Sequence, residues 1–301
     1  MDFKRAKAIY EGKQLPQDYK FIVSPSFSQA RDKLLELLTL AHEHTPESPL
    51  RLAGDLETRR GHIACFGIAW SATEALCIPY LQANPFDPFY WTEEEETELV
   101  NLTTQLFQHE NILWDGQNYL YDCQYFYRFW GVLPKNVFDT MIGHHAIFSK
   151  LRKGLDFLSS MYAEDHVYWK EESKDWDEDL GEEQLWIYNC KDCVITWEIS
   201  PEIRQTAIDF AAGDEGFLAH QEFQQKLFFP VLRMMNRGVA LDVKEREHLK
   251  ISLLAQQTDR QAKLDYINGG PLNPRSSTQL INLFYHDLKL PVIRAIQTES
   301  I

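Results

Sequence analysis

Three short motifs carrying carboxylates constrain this chain more than any other feature: Asp55-Leu56-Glu57, the run from Asn118 to Asp122 (NYLYD), and the run from Tyr188 to Asp192 (YNCKD). Together they supply four carboxylates and a phenol spread over about half the sequence. The first motif ends an apolar stretch, Leu50-Arg51-Leu52-Ala53-Gly54, that reads as a buried strand. There Asp55 and Glu57 fall on one face by strand alternation. In the other two motifs the paired residues lie four apart in segments that read as helical, so each pair shares a helix face. A fold that gathers these carboxylates must neutralise them with something cationic, because buried unpaired charge is costly.

Oxygen ligands without an accompanying His or Cys set point to Mg²⁺ or Mn²⁺ rather than zinc. Two such ions about 4 Å apart form a clamp suited to in-line attack on a phosphodiester. In sequence and order, Asp-x-Glu, Asn-x-x-x-Asp and Tyr-x-x-x-Asp resemble the three exonuclease motifs of the DEDD superfamily of 3′–5′ exonucleases, in its tyrosine subclass. The segments Gly116–Asp122 (GQNYLYD), Val137–Met141 (VFDTM) and Lys153–Leu158 (KGLDFL) are similar to the proofreading domains of family A, DNA polymerase I-like polymerases. That resemblance covers roughly residues 20–200. It continues in Pro230–Asp242 (PVLRMMNRGVALD) and Leu272–Leu283 (LNPRSSTQLINL), which look like the start of a polymerase thumb.

The resemblance implies an RNase H-like mixed sheet flanked by helices, followed by a helical thumb-like segment. It implies an exonuclease domain over 1–213 and an incomplete helical polymerase portion over 214–301. It also implies roles for the motif residues. Asp55 would bridge two divalent ions, and Glu57 and Asp192 would complete the ion that carries the attacking water. Asp122 would support the second ion, and Tyr188 would orient the water. Asn118 would contact the terminal sugar or phosphate. His62 stands where these exonucleases often place a residue that wedges between terminal bases, although several relatives carry an apolar residue there.

Periodicity and turn signals give the order of elements. Strands are expected at Tyr19–Val23, Leu50–Glu57, Asn111–Trp114 and Val137–Asp139, and a hairpin at Ile63–Trp70 and Glu74–Pro79. Helices are expected over Ser28–His44, from Thr92 to His109 with Glu95 closing a capping box, and over Tyr119–Trp130, Thr140–Phe148, Leu155–Tyr162 and Glu182–Ile199. Residues 164–183 hold ten Asp/Glu against Lys170 and Lys174, a composition expected of a solvated excursion. Ala211–Gly216 (AAGDEG) reads as the domain break. Beyond it lie expected helices Phe217–Asn236 and Val243–Ile267, then one capped by Ser276 or Ser277. The apolar positions Phe228, Val231, Leu232, Leu249 and Leu253 have little else in the chain to cover them.

Net charge is −15, but residues 220–301 hold 11 Lys+Arg against 8 Asp+Glu. The acidic remainder is ill suited to binding duplex through counterion release. A metal-loaded cleft accepting a few nucleotides of single strand needs no basic face. Cys65, Cys77, Cys123, Cys190 and Cys193 are odd in number and expected as free thiols. No apolar run approaches a membrane span and Met1–Tyr10 is charged, so the expected location is the cytoplasm, or that of a host cell if the source is a phage.

Other constellations have plainer readings. Cys190 and Cys193 have C-x-x-C spacing but no second pair. Glu93–Glu96 suits a helix N-terminus. His144 and His145 are adjacent and diverge on a helix. Asp139 reads as the cap of the helix opening at Thr140. The expected activity is therefore a 3′–5′ exodeoxyribonuclease acting on a single-stranded DNA 3′ end, with a polymerase domain or subunit in cis or in trans. No palm-type pair of carboxylates follows, so this chain alone should not synthesise DNA; it would be a split gene product or the N-terminal portion of a longer polymerase. The competing readings are a 3′–5′ exoribonuclease with the same motifs and a non-catalytic replisome scaffold.

Overall fold

The computed structural model describes residues 10, 18–82, 84, 86–163 and 182–291, and the chain divides into two compact units, 1–237 and 238–301. Among the described residues the first unit is built on six strands: β1 (Lys20–Ile22), β2 (Leu50–Arg59), β3 (His62–Ala69), β4 (Glu74–Pro79), β5 (Ile112–Gly116) and β6 (Val137–Asp139). Their order across the sheet is β1-β4-β3-β2-β5-β6. The central β2, β3 and β4 are antiparallel, while β1, β5 and β6 join in parallel. This is the expected RNase H-like mixed sheet.

Helices cover both faces. On one lie α1 (Phe27–His42) and α2 (Glu93–Gln108), then α3 (Leu120–Tyr125), which continues as a wider turn through Trp130. On the other lie α4 (Thr140–Ile147), α5 (Leu155–Tyr162) and α6 (Glu183–Ala211). The middle strand shows why two layers are needed. In β3, Phe66 and Ile68 enter the core shared with Leu34, Phe107 and Trp114, whereas Cys65 and Ala69 enter the core shared with Leu158, Cys193 and Ile199. A strand buried on both faces reads as a continuous apolar run.

Local chemistry fixes several boundaries. Thr92 and Glu95 form the expected capping box at the start of α2. A second box, Ser26 with Gln29, starts α1 at Phe27, one residue before the expected position. Helix α6 overruns its expected end at Ile199 and passes through Pro201 to Ala211. Proline lacks the N–H that would bond the carbonyl four residues earlier, here that of Trp197. Arg51, from β2, donates to that carbonyl instead. The same guanidinium stacks 4.5 Å from the centroid of the Trp197 ring and binds Asp115 at 2.7 Å. Asp115, fully buried, also meets Arg204 and the Ser200 hydroxyl. Strand and long helix are thereby fastened together.

Ala211–Gly216, expected as the domain break, is a turn within the first unit, with Ala212 and Gly213 at positive φ, leading into α7 (Glu215–Lys226) and α8 (Phe228–Arg237). The expected single helix over Phe217–Asn236 is thus two. The expectation that Phe228 and Leu232 lack cover is corrected: both are buried in the core beneath α1–α3. In the second unit Asp242 caps α9 (Val243–Asn268), its carboxylate accepting from Lys244 and Glu245 N–H. Gly269 ends that helix at φ 72°, and Ser276 caps α10 (Ser277–Ile281), which continues as a wider turn to Asp287. Leu249 and Leu253 are exposed, as expected. No helix among the described residues is long and apolar enough to cross a membrane. The acidic stretch expected over 164–183 lies, through residue 181, outside the described residues.

Candidate active site

The site forms where β2 outruns its neighbour. β5 pairs with β2 only from Leu50 to Ala53, so Asp55, Leu56 and Glu57 project past the end of β5, and α3 fills the strip beyond it. There the buried Asp122 accepts the Leu56 N–H on its Oδ1 at 2.9 Å. The second motif therefore takes a strand donor from between the two acids of the first. A register shift between Glu57 and Thr58 interrupts the β2–β3 pairing just after the site, a common place for a bulge to re-aim side chains.

On the other side of β2, α6 brings Asp192 to Asp55 and Glu57. One carboxylate oxygen from each of the three lies within 4.8 Å of the others. These all-oxygen donors suit a hard divalent cation, whose positive charge would relieve their mutual repulsion. Asp122 stands outside this trio but beside it: burial pushes its carboxyl well above the usual carboxylate range, and the negative charge of Glu57 adds to that while the Leu56 N–H opposes it. Tyr188 is half-buried one helical turn before Asp192, on the same face.

The remaining assignments fall at the edges. Asn118 is exposed at the β5–α3 junction with φ 55°, a left-handed conformation that Asn tolerates. Its carbonyl accepts the Tyr121 N–H. His62 opens β3 on the surface, its ring 4.9 Å from that of Phe129. Asp139 caps α4 with one oxygen on Met141 and Ile142 N–H and gives the other to Tyr119 N–H at 2.8 Å. Burial nonetheless raises its carboxyl to about 6. His144 is buried, with Nδ1 2.8 Å from the Tyr162 hydroxyl, while His145 faces outward. Cys190 and Cys193 are buried free thiols in the core. Glu93–Glu96 occupy the first turn of α2.

One residue of the site was not evident from sequence. Asn189, fully buried, donates Nδ2 to both the main-chain oxygen (3.0 Å) and the Oδ2 (2.9 Å) of Asp55. It lies between the motif positions Tyr188 and Asp192, where an amide carries no signal of its own.

The sheet order, the helical covering and the gathered acids agree with the resemblance to nucleases of the DEDD type. The profile of the 3′–5′ exonuclease family DNA_pol_A_exo1 matches residues 27–207, more than half the chain, and the chain belongs to that family. No curated protein sequence matches it. Among solved structures, the fold is similar to the POL domain of Pol1 from M. smegmatis in complex with DNA primer-template and dNTP, at 14% identity and TM-score 0.55. That match covers 92% of this chain and 42% of the other. Escherichia coli RNase D, an exoribonuclease, matches at 17% identity and TM-score 0.47, over 74% of this chain and 52% of its own. The catalytic core of RRP6 from Trypanosoma brucei matches at 14% and 0.49, over 71% and 55%. The chain thus spans about half the length of these structures.

Proposed function

We propose that this chain removes nucleotides from DNA 3′ ends by metal-dependent hydrolysis, as the proofreading exonuclease of a family A polymerase. The observation that carries the reading is the convergence of Asp55, Glu57 and Asp192 within 4.8 Å, with Asp122 locked beside them on Leu56 N–H. Asp55, Glu57 and Asp192 would hold one divalent ion, Mg²⁺ or Mn²⁺, and Asp55 with Asp122 a second. When bound, such ions lower the pKa of water and stabilise charge on the leaving oxygen.

The chain's own residues supply the rest. Tyr188, a turn from Asp192, donates or accepts a hydrogen bond that orients the attacking water. Asn118, exposed at the mouth of the β5–α3 turn, contacts the terminal sugar or phosphate, and His62 meets a terminal base from the hairpin end. The preference for DNA rests on two supports: the thumb-like sequence beyond residue 214, proposed here as the start of a helical polymerase portion, and the match to a DNA-bound polymerase domain over 92% of this chain. A polymerase domain, in cis or in trans, is the proposed partner.

The test is to incubate the purified chain with 3′-labelled single-stranded DNA and RNA, in Mg²⁺ or EDTA, beside Asp192→Ala. Stepwise DNA shortening that needs Mg²⁺ and Asp192 is expected. Faster trimming of RNA would establish the exoribonuclease reading, and no trimming of either strand would leave a non-catalytic scaffold.

A further inference from the structure

Asn189 joins the strand bearing Asp55 and Glu57 to the helix bearing Tyr188 and Asp192 at the level of the carboxylates. Its amide orientation is fixed by chemistry. Nδ2 faces two acceptors, the carbonyl and the Oδ2 of Asp55; turning the amide over would set an oxygen against both. This arrangement has a cost, because among the described residues the buried Oδ1 of Asn189 has no hydrogen-bond partner. An orphaned buried acceptor is destabilising, and an apolar residue would avoid that.

Space for the amide is made across the sheet. Gly67 is the β3 residue paired with Asp55, and a Cβ there would lie 2.3 Å from Asn189 Oδ1 and 2.6 Å from Cys193 Sγ. The strand next to Asp55 is thus bare where the helix must approach. Backbone and side chain of one acid are gripped together, so the Asp55 carboxylate is held in a single rotamer relative to its own strand.

We infer that Asn189 is the positioning residue of the metal site: its amide sets the Asp55 carboxylate, and through it the spacing of the strand acids from Asp192, for cation binding. The inference rests on the reading of these three carboxylates as ligands. Partners that orient metal-binding groups typically contribute 10–100-fold in affinity, and that range is expected here.

The experiment measures Mn²⁺ binding to the metal-free chain by electron paramagnetic resonance, together with the melting temperature without metal. Asn189→Ala should bind Mn²⁺ about 10–100-fold more weakly with an unchanged or higher melting temperature, since the orphaned oxygen is removed with the donor. Excess Mn²⁺ should then restore most of the rate on single-stranded DNA. Asn189→Ser, which keeps a hydroxyl too short to span both acceptors, is read in the same way should the alanine variant not fold. Wild-type affinity in a folded variant would overturn the inference. A wild-type chain that binds Mn²⁺ no better than Asp192→Ala would instead overturn the metal reading itself, so the two failures are told apart.

Discussion

Arg51 donates to the main-chain carbonyl of Trp197, the acceptor that Pro201 leaves without its helical partner. The bond is one part of a larger clasp: the same guanidinium binds the fully buried Asp115, and Trp197 Nε1 donates back to the Arg51 carbonyl at 3.2 Å. Replacing Arg51 by Met would keep most of the stem and remove the charge. Arg204 would still hold Asp115, so the loss should fall near or below the about 3–5 kcal/mol typical of breaking a buried pair. Urea unfolding of Arg51→Met is the measurement; a change within the range of an ordinary surface substitution would show that the clasp is ornamental.

Much of this was legible in the sequence, and the exceptions share one cause. The start of α2 and both ends of α5 follow from local chemistry: a capping box in the first case, a glycine and an apolar period in the second. The end of α6 does not. Local rules stop a helix near Pro201, and only Arg51, about 150 residues away in sequence, allows it to continue. The convergence of Asp55, Glu57 and Asp192 was foreseeable because carboxylates are conspicuous at strand and helix spacing. Asn189 was missed because its role depends on Asp55 and on the bareness of Gly67, both contributed by other elements. The cover over Phe228 and Leu232 was missed for the same reason.

That cover gives a second prediction. Leu232 is fully buried and Phe228 nearly so, although both lie beyond the turn at Ala211–Gly216. Leu232→Ala should destabilise the first unit by about 2–5 kcal/mol, and ending the chain before α8 should do at least as much harm. Should Leu232→Ala leave the melting of the exonuclease unit unchanged, α8 would be an appendage, not part of its core.

Asp139 supplies a pH prediction. Its carboxyl is raised to about 6 by burial, against about 3.9 in an unfolded chain. Below the unfolded value both states are protonated and no penalty exists. As pH rises from about 4 to about 6 the unfolded state loses its proton first, so stability falls, by at most roughly 3 kcal/mol, and stays lower above that window. Asp139→Asn still accepts the Met141 and Ile142 N–H groups but has nothing to titrate. Its NH₂ faces the Tyr119 N–H, which imposes a constant offset. The stability of wild type minus that of the variant should therefore decline between pH 4 and 6 in chemical denaturation. A difference that is flat or rises across that window contradicts the raised value.

Asp55→Ala should abolish hydrolysis without unfolding the chain. It removes one acid from a cluster of three, which relieves repulsion in the metal-free protein. Asn189 keeps one acceptor as well, the main-chain oxygen of residue 55. The expected result is no detectable nuclease activity with a melting temperature equal to or above that of wild type. If melting temperature and activity fell together, Asp55 would be holding the sheet and helix together, and its proposed role would go.

Tyr188 and Asp192 share a helix face one turn apart, and the proposed chemistry separates them. Tyr188→Phe removes only a hydroxyl that orients water, so metal and single-stranded DNA should still bind. Contributions of this kind span ~10²–10⁴-fold, and a metal-activated nucleophile places this one at or below the low end. Asp192→Ala removes one of the three converging carboxylates and should be far worse. The comparison is the single-turnover rate of both variants on single-stranded DNA at saturating Mn²⁺. Equal inactivity with unchanged Mn²⁺ affinity in Tyr188→Phe would mean that the phenol moves a proton itself, as a general acid or base. Full activity of Tyr188→Phe would remove the tyrosine from the mechanism and leave the water to be oriented by another group.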